Sequence, residues 1–217
     1  MNWQKAKIGV IDFEGSVRTG IVEYGYVTIN RSKIINSETS CCNPSKTLVP
    51  EEERSFGLEH TALSAHAHFS DKRELFMNLH SSVDVFCAHH STIEENFLKM
   101  HWPYPTKRKL FQPASWGPWL DTRIIYENLY PSLGDFSLSH LVQTFDLDEK
   151  LRENASRYCP PERREPHCAL YDALASALLI NRFKDIPEIA CTSLEWMLQA
   201  SASGKKKRLD LNQLSLF

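Results

Sequence analysis

Hydrophobic positions change their spacing along the chain, and the spacing predicts the elements. Residues 7–13 read K-I-G-V-I-D-F, almost continuous and β-branched at Ile8, Val10 and Ile11, which predicts a buried strand. Residues 21–29 are β-rich and partly alternating, and 32–36 predict a third, short strand. Short turns at 18–20 and 30–31 join the three, so an antiparallel meander is expected. Turn residues and charges over 43–53 predict a loop. Apolar residues then recur at helical spacing over 71–81 (Leu75, Phe76, Leu79) and 92–100 (Ile93, Phe97, Met100). Between them, 83–88 is a short apolar run, a fourth strand, and a fifth is expected to end over 119–122. Further helices are expected over 123–130, 137–145, 168–183 and 187–200, and C-A-L-Y-D-A-L-A-S-A-L-L-I in the third of these is the most regular. Four prolines set among aromatics make 101–118 a long loop. No repeat of 20–50 residues is present. This order predicts an α/β fold: a mixed five-stranded sheet, its first three strands antiparallel, flanked by helices.

The pattern stops at Ser201. S-A-S-G-K-K-K-R-L-D-L-N-Q-L-S-L-F is small, then basic, then alternating, with no room for a core. A domain over 1–200 followed by a flexible basic tail over 201–217 is expected. With 42% hydrophobic and 24% charged residues, a 217-residue chain can bury a core of its own. The net charge of −2 argues against gripping nucleic acid by bulk charge, so any such binding needs a local site. No apolar run approaches the ~20 residues of a membrane span, and residues 1–7 lack a signal peptide's apolar stretch. No membrane partner and a cytoplasmic location are therefore expected. The six cysteines form no CxxC pair, which predicts free thiols in a reducing compartment.

Carboxylates stand where apolar patterning makes them conspicuous. Asp12 and Glu14 lie two apart at the predicted end of the first strand, on one face by its period of two. Clustered carboxylates on a buried strand suit Mg²⁺ or Mn²⁺, although a turn cap and a solvated side chain also account for this pair alone. Asp172 sits among Ala169, Leu170, Ala173 and Ala177 on the strongest helix, with His167 five residues before it. H-H-S-T-I-E-E follows the fourth strand at His89; there Ser91 or Thr92 is expected to cap a helix whose positive end favours Glu94 and Glu95. His66-x-His68 and His89-His90 lack a full ligand set. Trp102, Tyr104, Trp116 and Trp119 around Lys107-Arg108-Lys109 fit either a single-strand channel or simple loop packing.

Taken together, D-x-E on the first strand, H-x4-E before a helix and H-x4-D on a late helix resemble the DEDDh family of 3′–5′ exonucleases. This is the RNase H-like, DnaQ-like group that includes polymerase proofreading subunits, RNase T and oligoribonuclease. The similarity covers roughly 8–183, with Phe56-Gly57-Leu58-Glu59-His60-Thr61, Leu120-Asp121-Thr122 and Phe136-Ser137-Leu138-Ser139-His140-Leu141 matching the stretches between motifs. The resemblance implies an RNase H-like sheet and two Mg²⁺ or Mn²⁺ ions held by Asp12, Glu14 and Asp172, with Glu94 helping at the second. It implies His167 as the general base and nucleic-acid contacts by Phe13, Gly15, Ser16 and His89. Two positions depart from the family: Glu94 replaces its aspartate, and Gly15-Ser16 replaces the threonine that often follows its first glutamate. The implied activity is hydrolysis of phosphodiester bonds from DNA 3′ ends, single-stranded or frayed, in proofreading or repair. An RNase T-like exoribonuclease and a non-catalytic nucleic-acid binder are the alternatives.

The last five residues, Gln213, Leu214, Ser215, Leu216 and Phe217, are similar to the bacterial sliding-clamp-binding motif at every position. Two leucines and a phenylalanine suit apolar pockets, and the linker before them suits tethering to a clamp. A segment docked on its own domain is the alternative, and the basic run 205–208 is either a spacer or a phosphate contact.

Overall fold

The computed structural model describes residues 1–105 and 115–202. The Lys107-Arg108-Lys109 cluster, the basic run 205–208 and the pentapeptide 213–217 lie outside the described residues.

Five strands form one sheet: β1 (Lys7–Ser16), β2 (Gly20–Asn30), β3 (Lys33–Cys41), β4 (Val85–Ala88) and β5 (Trp119–Asp121). Their order is β3-β2-β1-β4-β5. The first three pair antiparallel as a meander, and β4 and β5 add in parallel beside β1. Among the described residues the α-helices are α1 (Pro50–Phe56), α2 (His60–Leu63), α3 (Arg73–Ser82), α4 (Ser91–His101), α5 (Thr122–Leu129), α6 (Leu138–Thr144), α7 (Asp148–Tyr158), α8 (Ala169–Arg182), α9 (Pro187–Ala190) and α10 (Leu194–Ala200). This is the mixed five-stranded sheet, its first three strands antiparallel, that the sequence pattern predicts.

Period-two alternation divides β1 between two cores. Ile8 and Val10 pack with Leu174, Leu178 and the rest of α8. Ile11 and Phe13 pack on the other face with Phe69, Phe76, Phe86, Trp102 and Trp116. Asp12 and Glu14 continue the row of Ile8 and Val10, so they emerge on the α8 side. Helix α8 is apolar nearly all round, as a helix buried between a sheet and other helices must be.

Its approach depends on Gly25. A Cβ there would lie 2.2 Å from the Leu170 amide nitrogen. Gly25 is the β2 partner of Asp12, so the start of α8 rests on backbone beside the first carboxylate. A glycine inside an apolar strand is the sequence signal of such an approach.

Several expectations change. Pairing of β1 with β2 continues to Ser16↔Gly20 past a bulge at Glu14/Gly15, so Asp12 and Glu14 lie within the strand rather than at its end. The expected loop over 43–53 gives way at Pro50 to α1, where Pro50 opens the helix, three glutamates fill its first turn and left-handed Gly57 stops it. Helix α7 was not predicted, because only Leu151 and Ala155 of its charged sequence are buried. The helix expected over 187–200 is two, the second capped by Ser193, whose side chain accepts from the Trp196 N–H. Trp102 and Trp116 belong to the core, with the Trp116 indole donating to the Trp102 carbonyl, so neither offers a stacking surface; Tyr104 is exposed. All six cysteines are free. No helix of the described residues is long and apolar enough to cross a membrane.

Candidate active site

Three elements deliver acids to one place: β1 carries Asp12 and Glu14, α4 carries Glu94 near its start, and α8 carries Asp172 in its first turn. Glu14, His167 and Asp172 each offer a ligand atom within 4.8 Å of the other two. Asp12 stands beside this trio, within electrostatic reach of Glu94, Asp172 and Glu14.

Helix α4 is aimed by an acid that the sequence reading took only as a motif match. Its N-cap, His90, is left-handed and makes no side-chain cap, and neither Ser91 nor Thr92 caps it as expected. Asp121 at the end of β5 does so instead: one carboxylate oxygen accepts from the Ser91 N–H (2.7 Å) and hydroxyl (3.0 Å). The other accepts from the Ile124 N–H (3.1 Å) at the start of α5. One buried carboxylate thereby joins two helix starts to the sheet.

Glu94 is buried, not solvated. It accepts from the Phe13 backbone N–H beyond the end of the β1–β4 ladder. Its Oε2 is buried with no hydrogen-bond partner. A carboxylate oxygen left so is costly unless a proton or a cation meets it.

His167 is exposed on the loop before α8, in a left-handed conformation (φ 66°). Both of its backbone groups are held. Its N–H donates to Asp172 Oδ2 (3.0 Å), and its carbonyl accepts from the Arg163 guanidinium (3.2 Å). Arg163 also donates to the Phe56 carbonyl and to both oxygens of Glu23 (3.2 and 2.5 Å). Glu23 is buried on β2 and accepts from the Ala169 N–H (3.2 Å), the first amide of α8. Sequence reading missed Glu23, Arg163 and Gly25. A lone acid inside the apolar run I-V-E-Y-G-Y-V was the available signal for the first.

The electrostatics follow from burial and crowding. Burial and the charges of Glu94, Asp172, Glu14 and Glu23 hold the Asp12 carboxyl well above the usual carboxylate range. Burial, Asp172 and Glu23 push Glu14 up to about 8. Burial raises Asp172 to about 6, against the His167 N–H that lowers it. Burial and Glu14 raise Glu94. Four acids that resist ionisation together form a hard-oxygen donor set suited to a divalent cation, and the orphaned Glu94 oxygen fits that reading.

The expected nucleic-acid contacts are placed differently. His89 is buried, with one ring nitrogen against the Thr122 hydroxyl (2.8 Å) and the other against the Phe136 carbonyl (2.9 Å), so it has no ring nitrogen left for a phosphate. Burial and the neighbouring His90 lower it to about 4. Phe13 is a core ring against Phe69, Phe76 and Phe97. The Ser16 hydroxyl bonds Glu52 and Thr19. Gly15 sits at the bulge, where a Cβ would lie 2.3 Å from the Gly20 carbonyl oxygen; that contact accounts for a glycine there.

No protein-family model and no curated protein matches the chain. Solved structures do. One, exonuclease X in complex with 5′-overhanging duplex DNA, is 19% identical with a TM-score of 0.64, over 90% of this chain and 99% of that one. The fold is that of the 3′-exonucleases. The nuclease domain of 3′hExo, a DEDDh family member bound to rAMP, superposes with a TM-score of 0.58 at 17% identity, over 84% of this chain and 94% of that one. Exonuclease I from Methylocaldum szegediense does so at 0.60 and 13%, over 96% of this chain but only 45% of the other. The exonuclease fold therefore accounts for nearly all of exonuclease X and for about half of exonuclease I.

Proposed function

We propose that the chain is a metal-dependent 3′–5′ exonuclease of DEDDh type that hydrolyses phosphodiester bonds at DNA 3′ ends. The observation that carries this is the convergence of Glu14, Asp172 and His167 within 4.8 Å, with Asp12 and the unpartnered Glu94 oxygen beside them. Asp12, Glu14 and Asp172 would hold a divalent ion, and Asp12 with Glu94 a second. Bound there, such ions polarise a phosphate and lower the pKa of a water.

The residues of the chain do the rest. The four acids converge where the terminal phosphodiester would bind, and unneutralised they repel it. His167 takes the proton of the attacking water on a ring nitrogen, as its exposure and its place beside both carboxylates suit. The water oxygen bonds to phosphorus, the bond from phosphorus to the 3′ oxygen breaks, that oxygen takes a proton from solvent, and a 5′-mononucleotide leaves a new 3′ hydroxyl. Asp172 and Arg163 keep the histidine backbone fixed while this happens.

DNA rather than RNA is proposed because the terminal pentapeptide, Gln213 to Phe217, suits a bacterial sliding clamp; the 1–200 domain would be tethered through the 201–217 tail, in the cytoplasm, for proofreading or repair. Among structures of this fold, one carries duplex DNA and another rAMP, so the RNA arm belongs in the test. Purified protein with 3′- and 5′-labelled DNA and RNA oligonucleotides, with and without Mg²⁺ or Mn²⁺, is the deciding experiment. Metal-dependent release of mononucleotides from DNA 3′ ends is expected. Full activity in excess EDTA, or degradation from the 5′ end, overturns the proposal. Faster turnover of RNA moves the substrate to an exoribonuclease. For the tail, removal of 213–217 is expected to abolish binding to an immobilised clamp and to spare short oligonucleotides.

A further inference from the structure

A second charged concavity lies at the far end of α8. It has a volume of about 330 Å³ and is bounded by the β2–β3 turn, one face of α7 and the end of α8. Four cations line it, Lys33, Lys150, Arg157 and Lys184, and no carboxylate does. Among the described residues none of the four is in a salt bridge. Arg157 lies over the ring of Tyr158, which also lines the cavity.

The cavity also has a polar residue in its lining. Asn181 is more than nine-tenths buried there; its amide nitrogen donates weakly to the Ser32 carbonyl (3.4 Å), and its Oδ1 is buried with no partner. That oxygen is itself sealed from solvent, so Asn181 stands as a buried polar residue beside the cations. The helix dipole explains part of the charge, since Lys184 follows the negative end of α8. Arg157 likewise lies in the last turn of α7, but helix dipoles do not explain Lys33 on the hairpin or Lys150 near the positive start of α7.

The concavity is separate from the carboxylate site. Asn181 lies nine residues beyond Asp172 on α8, about 13 Å along the helix. The β2–β3 turn lies at the Lys7 end of β1, and the catalytic acids lie toward the other.

From these observations we infer that the Lys33–Lys150–Arg157–Lys184 cavity is a second binding site, and that its ligand is a phosphate ester of about one nucleotide unit. Four unpaired cations match a phosphate's charge and acceptors. The volume is at the small end for ligand pockets, which suits a single nucleotide. Such a nucleotide is either free or one unit of a nucleic-acid strand, and both share this chemistry.

The test is a titration of the full chain in EDTA, where the carboxylate cluster repels phosphate. The probes are AMP and a single-stranded twelve-nucleotide DNA. Wild type is compared with Lys150→Glu/Arg157→Glu and, as a milder variant on the exposed hairpin, Lys33→Ala. Binding of AMP that weakens at least about tenfold in the double variant assigns a free-nucleotide site. Binding of the oligonucleotide alone, with that loss and a salt slope lowered by about two, assigns a strand phosphate. Hydrogen-exchange protection over 150–158 is expected with whichever probe binds. If the double variant fails to fold, Lys33→Ala and this protection decide. Absence of binding by either probe, or binding that no variant weakens and that leaves 150–158 unprotected, overturns the inference.

Discussion

The two ends of helix α8 carry opposite charge for the same physical reason. At its start, Asp12, Glu14, Glu94 and Asp172 crowd together, with Arg163 the nearby cation engaged by Glu23. At its end, Lys33, Lys150, Arg157 and Lys184 line a cavity without a carboxylate. Pairing the two sets would have been the cheaper arrangement, and the fold keeps them at opposite ends of α8 instead. Like charges gathered without partners raise the energy of the ligand-free protein. On the two proposals, each end thus takes a ligand of the opposite sign: cations at the acidic start, a phosphate at the basic end. The two ends differ in depth. Glu94 is buried, the other three acids are half-buried, and all four are shifted upward, so their loss should be large, whereas the cations stand nearer solvent and act more weakly.

The sharpest way to break this comparison is at the acidic end. Asp12→Ala and Asp172→Ala are each expected to reduce exonuclease turnover to background while the protein stays folded, because removing one of four crowded acids relieves repulsion. Near-normal rates from folded Asp172→Ala protein would remove the site assignment.

His167→Ala is expected to lower kcat on the order of 10²–10⁴-fold, the range for one acid–base group, with metal affinity little changed. A matched loss of metal binding and turnover would instead make His167 a ligand.

Gly25→Ala comes next. A methyl group 2.2 Å from the Leu170 nitrogen must push α8 off β2 and carry Asp172 with it. Misplacement by about 1 Å costs on the order of 10²-fold in rate. Overpacking of this kind costs about 1–3 kcal/mol, or about 2–4 °C in Tm per kcal/mol for a chain of this size. An active, equally stable Gly25→Ala protein would show that α8 does not depend on this contact.

Arg163 tests the link from β2 to His167, the proposed general base. Arg163→Met alone strands a buried Glu23 charge, so the informative variant is Glu23→Gln/Arg163→Met. It is expected to fold and to lose about 10–100-fold in kcat, as loss of supporting contacts does, with KM little changed. A loss confined to thermal stability would reduce the pair to a structural tie.

The smallest effect is on stability against pH without metal. Glu14 titrates near 8 in the folded protein against 4.5 as its ordinary value, and Asp172 near 6 against 3.8. Between those limits the unfolded chain has released protons that the folded chain keeps. Stability in EDTA therefore falls as pH rises from about 4 to 8, and this contribution is complete only below the unfolded values. Scanning calorimetry in EDTA at pH 5 and pH 8 should show the lower Tm at pH 8, and saturating Mg²⁺ should raise the pH 8 value more. A metal-free Tm that rises with pH would contradict the crowding of the acids.

Much of this was legible from residue order. The meander, β4 and α8 follow from β-branched runs and helical spacing, and Asp12, Glu14 and Asp172 stood out against apolar patterns, whereas Glu94 stood out only by its place in a motif. Helix α7 was harder to read, since charged residues surround the short apolar pair Leu151 and Ala155, although its acidic first turn and Arg157 in its last are local helix signals. The fate of His89 was not legible. Its position after β4 matched a phosphate contact, yet Thr122 and Phe136, 33 and 47 residues away, take both ring nitrogens. The basic end of α8 escaped notice because its four cations come from three separate stretches of chain.

The sequence by itself determined most of the elements, the meander and the identity of four of the acids, because periodicity and composition are local properties. Only the tertiary structure decided how those acids meet. Asp121 aims α4 through contacts 30 residues apart, and Gly25 admits the start of α8 to within backbone contact of β2. Glu23 and Arg163, 140 residues apart, hold the His167 loop against Asp172. Such distances in sequence leave no periodic trace, since each contact depends on where two packed elements come to rest rather than on the residues beside it.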